Sequence, residues 1–469
     1  MTISAPAAAG SQAGHGTVVA QLADHQVRAR DSAMTQETEH AAIRAVADWF
    51  AATYAGANMA APRVLAQALL DPAETGQARL VAHRRRVPYR TAALINGTAA
   101  HTAELDDIYR DGIYHPGAPT IAAVLALAER DGSSGAQFLR AVTAGYEVGG
   151  RIAAAINPAH YRYWHTTGTV GAIGAAAGAA EILNLPAGQL ANALATSVTM
   201  AAGLQQAFRS EAMSKPLHSG HAAGIGVLAA VTARAGFTGA PDVLEGAAGF
   251  GAAMSGQPDW EAMLAALGRT PVISQMTVKN HSCCGHTFAA VDAALELRAG
   301  GLDPAAIESV EVETYTVATS VAGNPDPVTD FEAKFSTQYC VAAALLTGSV
   351  RLRAFTDEVL TDPAVRALTS KVTLTAAPDL DAAFPGQRAA RVRVRLAGGA
   401  EQHAARSTRK GDPDDPLTDA ELRAKFTEFV SASAGEQASD ELLAALWQLP
   451  ALADIRGLPL APARAWSGS

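Results

Sequence analysis

The chain has 469 residues, 49% of them hydrophobic and 17% charged, which is enough to bury a large core and too apolar for a disordered protein. A net charge of −9 lacks the basic footprint of a nucleic-acid binder, so an anionic ligand would be drawn in only where cations cluster locally. Three cysteines, two of them adjacent at Cys283 and Cys284, do not make a disulfide framework and point to a reducing, cytoplasmic compartment.

Residues 1–34 read as a flexible leader without a secretory pattern. From 35 to 274 the pattern is helical, with apolar residues at three- and four-residue spacing over Ala41–Tyr54, Val64–Leu70, Arg90–Leu105, Pro119–Arg130 and Gly135–Ile156. Gly168, Gly171, Gly174 and Gly178 leave one face of a helix nearly bare, which predicts close helix packing. A phosphate cradle would need a P-loop or dinucleotide-type glycine motif, and neither occurs. The uncharged run between Glu181 and Arg209 is broken by Asn184, Pro186, Gln189 and Asn192, so it predicts a buried helix, not a membrane span.

Residues 275–410 change character. Ser309–Tyr315 and Ala390–Leu396 alternate valine with polar residues, Lys371–Thr375 is β-branched, and helices are expected over Thr337–Leu346 and Asp362–Ser370. The fold expected is mainly α with an inserted α+β lid domain. Residues 411–469 turn helical again at a Thr418–Glu421 capping box, and these helices need the first domain to bury against.

Four clusters carry the chemistry. In HTAELDDIYRDGIYHPG, Glu104 and Asp106 crowd a helix end and His115 sits in a Pro/Gly turn, where side chains commonly face a cleft. Asp107, Arg110 and Asp111 read equally well as a solvated terminus. His165 directly precedes the glycine-faced helix, whose N-terminus favours an anion, although a packed core histidine is the competing reading. Lys215 opens the next helix, the wrong sign for its dipole, with His218 one turn on. Lys279, His281, Cys283, Cys284 and His286 fall within a single short stretch whose spacing fits neither a zinc site nor a known cysteine nucleophile; no metal is expected there. A lysine and histidines assembled to hold carboxylates and move protons is the reading that remains.

Taken in order, ELDD…HPG, GYEVGGRI, WHTTGTVGAIGAAAGAAEIL, KPLHSGHAA, GFTGAPDVLEGAAGF, KNHSCCGH and GDPDDPL resemble the MmgE/PrpD family of 2-methylcitrate dehydratases, cis-aconitate decarboxylases and iminodisuccinate epimerase-like proteins. The resemblance implies a large helical domain, an α+β lid, a homodimer, no metal or organic cofactor, and a pocket between helical domain and lid. It places catalytic roles on His115, His165, Lys215 and Lys279. Substrate contacts are expected from Glu104, Asp106, His218, His281, Cys283, Cys284 and His286. Ile108 stands where decarboxylase-type members can carry Thr, and Cys283-Cys284 replaces a histidine those members have after the second lysine.

The function expected is a cofactor-independent lyase, of dehydratase type, acting on a small di- or tricarboxylic acid by proton transfer next to a carboxylate. Decarboxylation and epimerisation share the machinery. A non-catalytic carboxylate binder would not need paired proton carriers. No nucleic-acid or membrane partner is expected.

Overall fold

The computed structural model describes residues 16–83, 85–210 and 212–463. The fold is mainly α, with a smaller α+β part. Its centre is the helix Thr166–Ile182, in which every residue from Thr166 to Glu181 is buried. A helix apolar on all sides must be wrapped on all sides. Helices Gly117–Asp131, Gly135–Ile156, Ala187–Thr199 and Ser214–Arg234 pack around it. The glycines make this possible: a Cβ on Gly174 would stand 2.9 Å from the carbonyl oxygen of Gly145, and one on Gly178 2.9 Å from that of Ala141. The bare face is therefore packing surface, with no room for a phosphate.

Part of the expected leader is helical. Val18–Ala29 is a helix whose Val18, Val19, Leu22, Ala23 and Gln26 are buried, and Gln26 donates to Ala177 O (3.0 Å) and Glu181 Oε2 (2.9 Å) of the central helix. Tertiary burial supplies what its weak local signal lacks. Residues 1–15 lie outside the described residues. The next helix, Gln36–Gly56, starts from a Thr35 cap, and Ala187–Thr199 occupies the uncharged run. No described helix is long and apolar enough to cross a membrane.

A second hydrophobic cluster lies between Cys283 and Ala404. Its sheet has four strands in the order Val372–Ala376, Ile307–Thr314, Ala390–Leu396, Glu401–Arg406, the first pair parallel and the others antiparallel. Val310, Val312, Val392 and Val394 face the core formed with helices Phe288–Ala299 and Thr337–Thr347. The opposite face pairs Arg391 with Glu313 (2.9 Å) and Arg393 with Glu311 (3.4 Å), exposed bridges that set register more than stability. The strand Glu401–Arg406 gives no sequence signal, because its alternation is polar on both faces.

The chain enters and leaves this part side by side. Val278 N donates to Gly411 O (2.8 Å), Thr277 Oγ1 to Asp412 Oδ1 (2.5 Å), and the backbones of Ile108 and Thr277 exchange bonds of 2.9 and 2.8 Å. The capping box forms as expected, Glu421 N donating to Thr418 Oγ1 (3.2 Å) and Thr418 N to Glu421 Oε2 (2.7 Å). It opens the helix Asp419–Ala434, which packs on Gln36–Gly56. There a fully buried Lys425 donates to Asp48 Oδ1 (2.5 Å) and Leu105 O (3.0 Å), pinning the loop that carries the first cluster.

Candidate active site

The helix Tyr89–Thr102 ends with Ala103 as its cap, so the ELDD residues lie in the loop beyond it rather than on the helix. Glu104 takes a left-handed backbone (φ 57°), a position where glycine is usual and any other residue costs about 1–3 kcal/mol. That strain coincides with a clamp. Lys215 Nζ donates to Glu104 Oε1, and Lys279 Nζ donates to Glu104 O (2.9 Å) while its ammonium lies 3.5 Å from Oε2. Burial alone would raise the Glu104 carboxyl; Lys215 and Lys279 outweigh it and hold the group far below the carboxylate range. Lys215 also lies over the Phe208 ring at 4.9 Å, and Phe208 meets Phe335 edge-on at 5.9 Å, across to the α+β part.

Four imidazoles line up beside this clamp. His101 and His115 meet at 4.9 Å between ring centroids, His101 and His165 at 5.4 Å, His165 and His218 at 5.4 Å. Asp106 Oδ2 lies 2.6 Å from His101 Nδ1 and 3.3 Å from His115 Nδ1. Burial opposes ionisation of Asp106, but His101 and His115 bring it well below the carboxylate range. His115 moves the other way: burial lowers it, against the pull of Asp106. His165 caps the central helix and shares a 3.1 Å Nδ1–Nδ1 hydrogen bond with His218. Burial first, then His101, Lys215 and His218, push His165 far down, and burial brings His218 to about 4. One Nδ1 donates and the other accepts, so at least the accepting ring is neutral, and burial favours the neutral form of both.

His101 was not singled out from the sequence as a site residue. Its only signal is the five-residue spacing to Asp106, which no helical or strand periodicity flags. Asp107, open to a surface reading, is buried: Tyr146 Oη donates to it at 2.7 Å and Gly117 N at 3.1 Å, and burial pushes its carboxyl up to about 7. Arg110, by contrast, is a partly exposed ion-pair partner of Asp412 (3.1 Å) and Asp414 (3.4 Å).

The KNHSCCGH stretch divides. Lys279 joins the clamp, and Cys284 lies within electrostatic reach of Lys279 and Glu104, its thiol pushed up to about 11 by burial. His281 instead bonds Asp292 Oδ1 (2.8 Å) and stands edge-on to Phe288 at 5.2 Å. Cys283 is buried in the second cluster with its Sγ 3.0 Å from Thr287 Oγ1. His281 and Cys283 thus spend their hydrogen bonds in the interior of the α+β part, although Cys283, like Cys284, still feels the Lys279 charge. His286 turns to Tyr315, its Nδ1 2.7 Å from the phenol oxygen. Among the described residues, His101, Asp106 and His115 are the trio whose ligand atoms lie within 4.8 Å of one another. Within it the carboxylate is hydrogen-bonded to His101, and His115 stands at ion-pair distance from the same oxygen.

Beside this assembly of two lysines, two carboxylates and four histidines stands what comparison with known proteins finds for the chain as a whole. Residues 20–263 match the MmgE/PrpD N-terminal domain and residues 281–449 the MmgE/PrpD C-terminal domain. The chain belongs to the MmgE/PrpD family. Among similar proteins, the cis-aconitate decarboxylase-like protein oryM of Aspergillus oryzae is 26% identical over 469 residues, covering 94% of this chain and 96% of that one. Human cis-aconitate decarboxylase is 31% identical over 73% of this chain and 72% of its own, and the mouse protein 28% over 79% and 77%. Within this MmgE/PrpD chain, Ile108 spends its backbone on Thr277, and Cys284 stands next to the clamp as a protonated thiol.

Proposed function

We propose that this MmgE/PrpD protein is a cofactor-independent lyase that removes water from a small tricarboxylic acid by proton transfer next to a carboxylate. The observation that carries the reading is a neutral, buried His165 held against fixed cations. A carbon acid beside a carboxylate is weak, so its removal needs a base without charge and preorganised positive charge for the enolate-like intermediate. For Nε2 of His165 to accept the proton, its Nδ1 carries hydrogen and donates to His218 Nδ1. Lys215 and Lys279 stabilise the intermediate, with Glu104 setting their positions. His115 serves as the acid in its protonated form, which the Asp106 carboxylate 3.3 Å away and the bound polyanion favour against burial; it gives that proton to the departing hydroxyl, which leaves as water while the carbon–carbon double bond forms.

Loss of carbon dioxide is the second reading, favoured by the names of the relatives, all decarboxylases or decarboxylase-like. In that case the carboxylate leaves as CO2 and the carbanion takes a proton from the same donors. Ile108 and Cys284, where decarboxylase-type members are expected to carry Thr and His, depart from the decarboxylase pattern. The test is proton NMR in deuterated water with citrate, 2-methylcitrate and cis-aconitate, followed for deuterium uptake, unsaturated product and released CO2. An unsaturated product without CO2 supports the first reading, CO2 with cis-aconitate the second. Three inert acids without deuterium uptake would overturn both.

A further inference from the structure

A cavity of about 410 Å³ opens between the end of the helix Val18–Ala29, one face of Gly135–Ile156 and the turn 268–271. Glu181, near the end of the central helix, also lines it. His165 caps the other end of that helix, roughly 24 Å away at 1.5 Å per residue, so the cavity is separate from the lysine–histidine cluster. Its volume falls in the range of small-molecule sites.

Three arginines line it: Arg30, Arg140 and Arg269. Arg30 donates from Nε to Glu181 Oε2 (2.8 Å) and from Nη1 to Leu185 O (2.6 Å), but its buried Nη2 meets no acceptor. The Nε of Arg140 is also buried without an acceptor, and among the described residues no hydrogen bond or ion pair reaches that guanidinium. The exposed Arg269 side chain likewise has no partner among them. The two acids in the wall are already engaged. Glu147 accepts from Arg151 Nε at Oε1 (2.8 Å) and from Val272 N at Oε2 (2.9 Å), while Glu181 Oε2 serves Gln26 (2.9 Å) as well as Arg30. Buried donors are costly to leave unmet, and an anion that brings two acceptors satisfies both at once. Met34, Ala144 and Val148 add an apolar wall beside them.

We propose that this cavity binds a small organic oxyanion, a carboxylate or phosphate monoester carrying a short apolar tail. The head takes its hydrogen bonds from Arg140 and Arg30, whose planar forks match two oxygens of one group. Arg269 draws anions to the mouth, and the tail lies against the apolar wall. The occupant ties the end of the helix Val18–Ala29 to Gly135–Ile156.

Calorimetry with hexanoate, hexyl phosphate and 1-hexanol tests it. At least one of the two anions should bind wild-type protein about tenfold or more tighter than the alcohol, the scale of a hydrogen bond to a charged group. Tighter hexanoate identifies a carboxylate occupant, tighter hexyl phosphate a phosphate, and equal affinities a site for either. Arg140→Gln should abolish the preference for anions. Lys279→Met, which removes charge from the active site, should keep it, which separates this cavity from the lyase pocket. Ala144→Leu fills part of the cavity and leaves every arginine in place. It should weaken both anions about tenfold, and it carries the test if Arg140→Gln does not fold. Anions that bind no tighter than hexanol, a preference that survives Arg140→Gln, or one that Lys279→Met abolishes overturns the inference and leaves the lyase reading untouched.

Discussion

At Glu104 a residue gives up an ordinary backbone conformation to place one carboxylate between two lysines. Lys279 contributes from the other side of the fold, and its two contacts with Glu104 place its ammonium where the reading puts the developing negative charge. Replacing Lys279 by Met keeps most of the apolar stem and removes the charge. Turnover (kcat/KM) should then fall by roughly a hundredfold or more, the scale of losing one preorganised electrostatic contact. Deuterium uptake measured at saturating substrate should vanish if the lysine also moves the proton and persist if it only stabilises charge. Near-normal turnover would remove Lys279 from the site. The types and order of these residues were legible in the sequence. The inward turn of Cys283 and His281 was not, since each is decided by partners, Thr287 and Asp292, that no local pattern assigns.

At the scale of elements, the helices were legible because burial of one face imposes its period on the sequence. Gly135–Ile156 has the expected bounds and Thr337–Thr347 differs by one residue. The helix Val18–Ala29 and the strand Glu401–Arg406 escaped because what stabilises them is a neighbour, not their own pattern. Gly411 shows a further kind of constraint. It has a left-handed φ of 99°, and a Cβ there would collide with the carbonyl of Val278 on the adjoining segment. Gly411→Ala should destabilise the protein by about 1–3 kcal/mol, from backbone strain plus the clash. Urea unfolding would measure it; unchanged stability would mean that the two crossings between the helical and α+β parts are not held as tightly as their hydrogen bonds describe.

At the scale of the whole molecule, buried histidines make stability depend on pH. His160, His218 and His286 are each brought to about 4 by burial, and burial lowers His165 well below the ordinary value near 6.5 as well. In this window the unfolded chain takes up protons that the folded one refuses, so stability is complete above about 6.5 and falls as pH drops towards 4. Asp107, raised to about 7, has the opposite sign: folded, it keeps a proton that the unfolded chain loses, so its contribution is lost as pH rises to 7. Asp48 and Glu129, also raised by burial, share the sign of Asp107, and His25, His83 and His115, also lowered by burial, share that of the four histidines; among the described residues seven lowered histidines against three raised carboxyls leave acid destabilising. The melting temperature should be lower at pH 5 than at pH 7.5; an equal or higher value at pH 5 would mean that these rings are charged in the folded protein.

The sequence by itself determined the family, the mainly α class with its α+β part, and which residue types carry the chemistry, because helical period, turn residues and ordered motifs are local properties of the chain. Only the tertiary structure decided which of those side chains meet. His101 enters the site through Asp106, and Glu104 through two lysines far away in sequence. The reason is physical: the contacts that set protonation and charge at this site join residues from separate elements, and burial, the largest influence on most of its groups, exists only once those elements are packed.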